Sequence, residues 1–321
     1  MRRAFHAAWA GILWLIFVIC ACAGGAVGQQ RSYAQRLGYS ANAKLLILHA
    51  DDLGVAHAVD RASFYALERH DVSSASVIVP APWLSEVATW WKAHPTADLG
   101  IHVALTSEWE HYRWRPVASV NEVPSLFDPE GYLWTTELLA GRRENAAEAE
   151  REIRAQVQWA INLGIRPTHM DTHMGTVFQT PALYAAYVRV AHEFHLPFMA
   201  TRYPPMPPQM RADLAPNDIV LDRVISASAA LSPAHWMDFY RSALQNMKPG
   251  LNEMIVHLGD DNAELEAITR NHPDWGARWR RRDFEAVSSP EFRMLLQQNH
   301  IVLVRWRSLE NLVSGKGGND Q

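Results

Sequence analysis

Continuous apolar runs alternate along the chain with segments of helical periodicity. The run Leu45–Leu48 is apolar at every position, which is typical of a strand buried on both faces of a parallel sheet. Further strands are predicted at Ser73–Val79, Asp98–Leu105, Arg166–His173, Leu196–Thr201, Asp218–Val224, Asn252–His257 and Ile301–Arg305. Helices are predicted at Val59–Arg69, Trp83–Ala93, Thr136–Leu163, Pro181–Phe194, Pro233–Met247 and Pro290–Asn299. The alternation predicts an α/β fold with parallel strands and helical crossovers, and about seven such units favour an irregular (β/α)7-type barrel.

Two segments interrupt this alternation. Ser107–Trp134 has no regular period but is rich in tryptophan and tyrosine, and so long a loop in a compact domain usually covers a functional site. Asp260–Arg282 is polar and is predicted to consist mainly of loops. The chain contains 13 tryptophans, whose faces suit sugar rings, although we expect most of them to lie in the core.

The composition indicates one large domain. The chain has 321 residues, of which 48% are hydrophobic, enough for a sizeable core in a single barrel over residues 44–313. Residues 29–43 form a polar lead-in, and the Gly-rich tail 314–321 is expected to fray. The net charge of -4 gives no indication of nucleic-acid binding.

The first 28 residues have the pattern of a secretory signal. Two arginines precede the apolar run Ile12–Cys20, and small residues follow up to Gly28. Three outcomes are open: cleavage after Gly28, lipoprotein processing at Cys22, or retention as a membrane anchor. Each predicts a secreted or periplasmic domain, and the last two predict membrane association through this segment. Both cysteines lie in it, so the remaining chain has no disulfide or thiol chemistry.

Candidate chemistry begins at the end of the first strand, where Asp51 and Asp52 are followed by a glycine. Two adjacent carboxylates at the mouth of an apolar strand repel each other, and burial disfavours their ionisation. A divalent cation would remove this cost, with one carboxylate as a ligand and its neighbour as a base. The alternative is a solvated turn or a helix N-cap.

Other strand ends contribute imidazoles and a further carboxylate. His102 lies in the third predicted strand, and His257 ends a later one. In the strand RPTHMDTH, period two places His169, Asp171 and His173 on one face. A lone histidine is more often structural, but the carboxyl ends of barrel strands meet at one mouth. One aspartate and two histidines with an open position for water form a usual catalytic metal set.

Such a set has a defined chemistry. The metal would acidify water and polarise a carbonyl, a neighbouring carboxylate would take the proton, and a histidine across the site would protonate the leaving group. The sequence has no Gly-rich phosphate loop and no Gly-x-Ser-x-Gly elbow, which argues against serine hydrolase chemistry. Histidines without such a context are interpreted as surface or structural residues: His49, His57, His94, His111, His192, His195, His235, His272 and His300.

Taken in order, these motifs resemble the YdjC family of carbohydrate deacetylases, also called the ChbG/HpnK family. The resemblance extends from about Lys44 to Leu312. Its matching stretches are Ala50–Gly54 (ADDLG), Gly100–Thr106 (GIHVALT), Pro167–His173 (PTHMDTH), Glu253–Gly259 (EMIVHLG) and Arg280–Arg293 (RRRDFEAVSSPEFR).

The resemblance implies metal-dependent removal of an acetyl group from an N-acetylated sugar on an irregular barrel of about seven β/α units. By motif position, Asp52, His102 and His173 would hold one divalent metal ion, Zn²⁺ or Mg²⁺. Asp51 would be the base that activates water. His257 would lie opposite, as an acid or as a stabiliser of the oxyanion.

Two departures from the family pattern bear on the substrate. The family often has His-x-His beyond the position of His173, where this chain has Met174-Gly175-Thr176, and it usually has His-Pro-Gly where this chain has His257-Leu258-Gly259. With the N-terminal signal, these changes indicate an extracytoplasmic glycan or glycolipid rather than a cytosolic chito-disaccharide.

Two other functions stay open on the sequence. One is a secreted carbohydrate-binding protein that keeps the metal site without turnover. The other is cleavage of a phosphoester, or of another amide or ester, by the same metal set.

Overall fold

The computed structural model of the protein describes residues 32–313. The predicted signal segment 1–28 and the predicted tail 314–321 lie outside the described residues. Within the described range, none of the helices is both long enough and apolar enough to span a bilayer.

Seven parallel strands form one sheet in the described part of the chain. They are β1 Lys44–Leu53, β2 Ser74–Val77, β3 Leu99–Val103, β4 Met170–Thr172, β5 Arg223–Ser226, β6 Gly250–Val256 and β7 Ile301–Leu303. The pairing order is β4-β3-β2-β1-β6-β5, and β7 pairs with the first residues of β1. β1 is therefore the central strand, paired with β6 on one side and with β2 and β7 on the other.

Short bridges close the ring between β4 and β6. Met170 pairs with Phe198, and Thr201 pairs with Leu221. The N–H of Asp222 then donates to the carbonyl of Leu251 in β6 over 2.7 Å. Parallel contacts thus run round the whole ring, and the predicted irregular α/β barrel is confirmed. The strand predicted at Leu196–Thr201 is reduced to these isolated bridges.

Helices connect the strands. They are α1 Tyr33–Arg36, α2 His57–Glu68, α3 Leu84–Ala93, α4 Glu137–Arg143, α5 Ala146–Asn162, α6 Pro181–Glu193, α7 Pro208–Arg211, α8 Trp236–Gln245, α9 Ala263–Ile268, α10 Ala277–Val287, α11 Pro290–Gln298 and α12 Glu310–Val313. Short 3₁₀ segments occur at Pro124–Leu126, His173–Gln179, Pro233–His235 and Trp306–Leu309.

The single long helix predicted over Thr136–Leu163 is wrong, because the chain breaks between α4 and α5. Glu144 has an extended backbone, with ψ at 135°. The side chain of Asn145 accepts the N–H groups of Ala147 and Glu148 and so caps the first turn of α5. An asparagine bonded in this way starts a new helix rather than continuing the old one.

The segment Asp260–Arg282 is also more ordered than predicted. Asn262 accepts the N–H of Leu265 over 3.0 Å and starts α9. The helix α10 begins at Ala277 and buries Trp279. These short amphipathic helices were missed because their apolar positions are few and widely spaced.

Alternation along β1 separates the barrel interior from the helical layer. Leu46 and Leu48 pack in the main core with the surrounding helices, whereas Leu45 and Ile47 belong to a second cluster. That second cluster also holds Trp306 and the other side chains that fill one end of the barrel: Ala34, Met199, Ile219, Leu221, Leu251, Val304, Leu309 and Leu312. Because this apolar cluster fills one end of the barrel, the polar residues lie at the other end, where the strands have their carboxyl ends.

Glu253 lies in β6, beside Ile47, as a fully buried carboxyl group. Its Oε1 accepts the indole N–H of Trp306 over 2.8 Å, whereas Oε2 has no hydrogen-bond partner among the described residues. Burial raises the pKa of the Glu253 carboxyl to about 8. The folded protein therefore holds this proton at a pH where the unfolded chain has released it.

We expect Glu253 to make folding less favourable as the pH rises. In the unfolded chain the pKa of a glutamate side chain is about 4.3. Between that pH and about 8 the folded state binds the extra proton, so the free energy of unfolding must fall with rising pH. Glu253→Gln has no proton to release at this position, so its free energy of unfolding should not show this decrease. Measured by urea unfolding, the stability of the variant relative to the wild type should therefore rise between pH 5 and pH 8. An equal difference between the two proteins at both pH values would contradict this account.

Candidate metal centre and active site

The end of β1 turns two neighbouring carboxylates into the barrel mouth. Strict alternation would leave Asp51 facing inward with Ile47 and send Asp52 outward. Instead, Asp52 has a left-handed backbone with φ at 70°, and the pairing with β2 shifts register between Ala50 and Leu53. A bulge of this kind re-aims a side chain. Both carboxylates therefore face the mouth.

Three of the predicted residues converge at this point. The Oδ1 atom of Asp52 lies 3.3 Å from Nε2 of His102 and 3.2 Å from Nδ1 of His173. One ligand atom from each residue lies within 4.8 Å of the others, and all three side chains are buried. His102 comes from β3, and His173 begins the 3₁₀ turn after β4. The sequence placed His173 inside that strand, whereas β4 ends at Thr172.

Two further carboxylates orient these imidazoles. The Nδ1 of His102 lies 2.8 Å from Oδ1 of Asp171, and the Nε2 of His173 lies 3.0 Å from Oε2 of Glu108. With each of these nitrogens donating to its carboxylate, the other ring nitrogen presents a lone pair towards Asp52. Burial alone would lower the pKa of His173, but without a cation Glu108 and Asp52 outweigh it and raise the pKa to about 9. A cation bound at Nδ1 would displace that proton, so the lone pair is the form in which His173 would act as a ligand.

A buried arginine fixes the remaining oxygen of Asp52. The Nη2 of Arg280 donates to Oδ2 of Asp52 over 2.6 Å, and Arg280 is 1% exposed. Although burial opposes ionisation, Arg280 and the two histidines hold the pKa of Asp52 well below its usual range. Arg280 opens the motif that carries the last part of the family resemblance, but the sequence alone gave it no role.

The residues fit a divalent cation. The Oδ1 of Asp52 is buried without a hydrogen-bond partner, although two imidazole nitrogens lie beside it. A buried acceptor without a donor is costly, and a cation among one carboxylate oxygen and two imidazole nitrogens would satisfy it. Asp52, His102 and His173 could therefore hold a metal ion. Their assignment as ligands stays a prediction.

Asp51 lies next to this triad. Its Oδ2 is 3.8 Å from Nε2 of His102 and 3.9 Å from Nε2 of His257. Its Oδ1 is 3.2 Å from Nε2 of His49. The same nitrogen of His49 lies 2.9 Å from Oδ2 of Asp171.

His49 is therefore not a surface residue, so of the two interpretations, surface or structural, only the structural one remains. It is fully buried and bridges Asp51 and Asp171, the carboxylate that orients His102. Burial would lower its pKa, but these two carboxylates hold the pKa well above the usual value. The period-two alternation of β1 could have indicated this position, because residues 45, 47, 49 and 51 share one face.

His257 lies on the other side of the mouth, just after β6. Burial lowers its pKa to about 4, so the ring is neutral near pH 7. Its backbone N–H donates to Oδ2 of Asp283 over 3.0 Å, while Trp236 and Tyr240 donate to the other oxygen of that carboxylate. The side chain of Asp283 thus anchors the end of β6.

A pocket of about 540 Å³ opens over the triad, a volume within the range of small-molecule sites. The Trp-rich segment Ser107–Trp134 was predicted to cover a functional site. Two of its residues, Glu108 and Trp109, line this pocket. The lining also includes Asp51, Asp52, His102, His173, Thr136, Glu137, Met174, Ser226, His257, Asp274, Trp275 and Arg280.

A family model described as "YdjC-like protein" matches residues 45–298. The chain belongs to the YdjC-like family.

Individual members and structures agree with this membership. The chain is 34% identical over 282 residues to a carbohydrate deacetylase of Thermus thermophilus, a match that covers 86% of this chain and 97% of the relative. It is 29% identical over 163 residues to a chitooligosaccharide deacetylase of Yersinia enterocolitica, covering 50% of this chain and 60% of the relative. A crystal structure from Enterococcus faecalis, of a protein named for cellobiose-phosphate cleavage, superposes with a TM-score of 0.69 at 23% identity, covering 83% and 99% of the two chains. That structure has the same fold.

Among the described residues, two further groups of side chains could hold a metal ion. One is Asp51, His102 and Asp171, which shares His102 with the triad, and its Asp171 already accepts from Nδ1 of His102. The other is His49, His169 and Asp171. All three are fully buried, and none of them lines the pocket. The Nε2 of His49 already faces Oδ2 of Asp171 at 2.9 Å, which is a hydrogen-bond distance. The ring of His169 stacks on Trp306 with centroids 5.1 Å apart. Asp52, His102 and His173 are therefore the better candidate, because they open to the pocket and have oriented lone pairs.

Proposed function

We propose that this protein is a metal-dependent carbohydrate deacetylase that removes an acetyl group from an N-acetylated sugar. The observation that carries the proposal is the convergence of Asp52, His102 and His173 at the floor of a pocket, with Asp51 beside them. The curated relatives named as carbohydrate and chitooligosaccharide deacetylases support the choice of reaction. They favour a chitooligosaccharide-like substrate, in place of the different substrate that the two departures from the family pattern indicated.

The cofactor in this proposal is one divalent ion, Zn²⁺ or Mg²⁺. When bound, it supplies Lewis acidity, which polarises the acetamide carbonyl and acidifies water. The imidazole ligands favour Zn²⁺ over Mg²⁺, because Mg²⁺ prefers oxygen. The protein side chains provide the rest of the chemistry.

Asp51 acts as the general base. Its side chain is 8% exposed at the pocket floor, so its carboxylate can reach a water molecule there. It takes one proton from the water that adds to the acetamide carbon. His49, 3.2 Å away, limits the orientations of this carboxylate.

His257 completes the proton balance. The C–N bond breaks only when the sugar nitrogen gains a proton, and the proton taken from water is the one available. The Nε2 of His257 lies 3.9 Å from Oδ2 of Asp51, at the same pocket. Burial keeps the resting ring neutral, so Nε2 can accept the proton that Asp51 took from water and pass it to the departing amine, which returns both groups to their starting states. In the alternative role, a proton on Nε2 would be donated as a hydrogen bond to the oxyanion.

The direct test is release of acetate from N,N′-diacetylchitobiose and triacetylchitotriose by residues 29–321. We expect acetate and free amine in equal amounts, loss of activity with a chelator, and recovery with Zn²⁺ or Mg²⁺. The metal that restores activity at the lower concentration identifies the cofactor. Metal-loaded protein that releases no acetate from a broad panel of N-acetylated glycans would refute the proposal.

A carbohydrate-binding protein without turnover is the less favoured function, because both a base and a second proton-transfer group lie at the candidate metal site. Glycan binding by the wild type with no acetate release would support it instead.

We also propose that the protein acts outside the cytoplasm, on the basis of the apolar pattern in residues 1–28. The full chain fused to a reporter that is active only outside the cytoplasm should give signal, and the fusion from residue 29 should not. Equal signal from both fusions would contradict this location.

A further inference from the structure

We propose that the indole of Trp275 is the platform on which the sugar ring of the substrate stacks. The inference rests on the proposed function, because it names how that site holds its carbohydrate. It follows from the position, exposure and anchoring of this side chain.

Trp275 lies in the loop between α9 and α10 and lines the pocket that contains the triad. It is 36% exposed, whereas the neighbouring Trp279 is 4% exposed. Its ring centroid is 6.3 Å from that of His257. Because both side chains line the same pocket, a sugar ring lying on Trp275 would have substituents within reach of His257.

The indole is supported from behind. Trp275 and Trp279 stack with centroids 5.1 Å apart and planes inclined by 29°. Trp279 in turn meets Trp236 edge-on at 4.5 Å. One face of Trp275 is thus used in packing, and the solvent-exposed remainder of the ring belongs to the pocket. A rigid aromatic side chain of this kind binds with little loss of conformational freedom.

The backbone of Trp275 is tied to the candidate metal centre. Its φ is 55°, a left-handed conformation that bulky residues seldom adopt. The Nε of Arg280 donates to the carbonyl of Trp275 over 2.6 Å, and Nη2 of the same guanidinium donates to Asp52. Arg280 therefore fixes the platform relative to the carboxylate that would hold the metal. An unfavourable backbone conformation that its surroundings hold in place beside a site, such as that of Trp275, suggests a functional role for the residue.

Sugars have the chemistry that such a surface recognises. The axial C–H groups on one face of a pyranose are apolar and pack against aromatic rings, while the hydroxyls point sideways to polar groups. Thr136, Glu137, Ser226 and Asp274 provide such polar groups round the same pocket. An apolar wall with convergent polar groups is the usual form of a small-molecule site.

The test compares Trp275→Ala, Trp275→Phe and the matched control Trp83→Ala. Trp83 is also 36% exposed but precedes α3 and contacts His57 outside the pocket. Binding of triacetylchitotriose is measured by calorimetry, KM and kcat by acetate release, and bound metal by elemental analysis.

We expect Trp275→Ala to weaken binding and raise KM about tenfold, the change that about 1.4 kcal/mol produces. Metal content and kcat should stay close to the wild type, since stacking acts on ground state and transition state alike. Trp275→Phe should recover most of the affinity, because an aromatic face is restored. Trp83→Ala should match the wild type.

Unchanged affinity in Trp275→Ala would overturn the inference, as would an equal loss in Trp83→Ala, or a Phe variant as weak as the Ala variant. A wild type that binds no sugar would overturn it too. If the wild type releases no acetate but Trp275→Ala still lowers sugar affinity, the proposed reaction fails while the platform stands.

Discussion

Replacing His173 by alanine is expected to abolish retention of the divalent cation, whereas replacing His169 by alanine should leave it in place. His173 presents its Nδ1 to Asp52 because Glu108 accepts from the other ring nitrogen. Loss of an orienting partner alone typically costs about 10–100-fold in metal affinity, so loss of a ligand should cost more. His169 is as deeply buried, but it belongs to the enclosed group with His49 and Asp171.

The measurement is elemental analysis of the purified variants after dialysis, with His102→Ala as a third protein. We expect close to one metal ion per chain in the wild type and in His169→Ala, and almost none in the other two. Circular dichroism checks that each variant is folded. If His169→Ala loses the metal and His173→Ala keeps it, the cation belongs to the deeper group, and the ligand assignment is wrong.

Asp51→Asn should reduce acetate release by about 10²–10⁴-fold, the range typical for loss of a general base. The amide has nearly the shape of the carboxylate but cannot take a proton from water. Because Asp51 is not in the proposed ligand set, the variant should keep its metal and its affinity for triacetylchitotriose. The readouts are kcat for acetate release, metal content and calorimetric binding.

His257→Ala is the natural comparison for Asp51→Asn. It too should keep the metal and lower kcat, because its ring lies at the pocket without belonging to the triad. If Asp51→Asn keeps the wild-type kcat, Asp51 is not the general base. Loss of metal from either variant would show that the ligand set is larger than proposed.

Parts of the fold could be predicted from local patterns. The apolar runs that became β1 and β6 were placed to within a few residues, because strands buried on both faces leave a continuous apolar signal. The break at Asn145 and the short helices α9 and α10 were missed. Their positions depend on single capping side chains and on burial against neighbouring elements, and neither leaves a periodic signal.

In the candidate site, too, local sequence patterns identify some of the residues and miss others. Asp51, Asp52, His102, His173 and His257 could be chosen because each lies in or just after an apolar strand and matches a motif of the family that the sequence resembles. The partners that orient them could not. Their contacts join positions far apart in the chain, as for Arg280 with Asp52 and Glu108 with His173.

By itself, the sequence determined which strands are buried, that they run parallel, and which polar side chains lie at their carboxyl ends. It could do so because alternation and apolar runs are properties of neighbouring residues. Only the tertiary structure decided that Asp52 turns inward through a left-handed bulge, that His49 bridges two carboxylates, and that Arg280 ties Trp275 to Asp52. These features arise when the ring closes, because only then do buried charges separated along the chain come within hydrogen-bonding distance of one another.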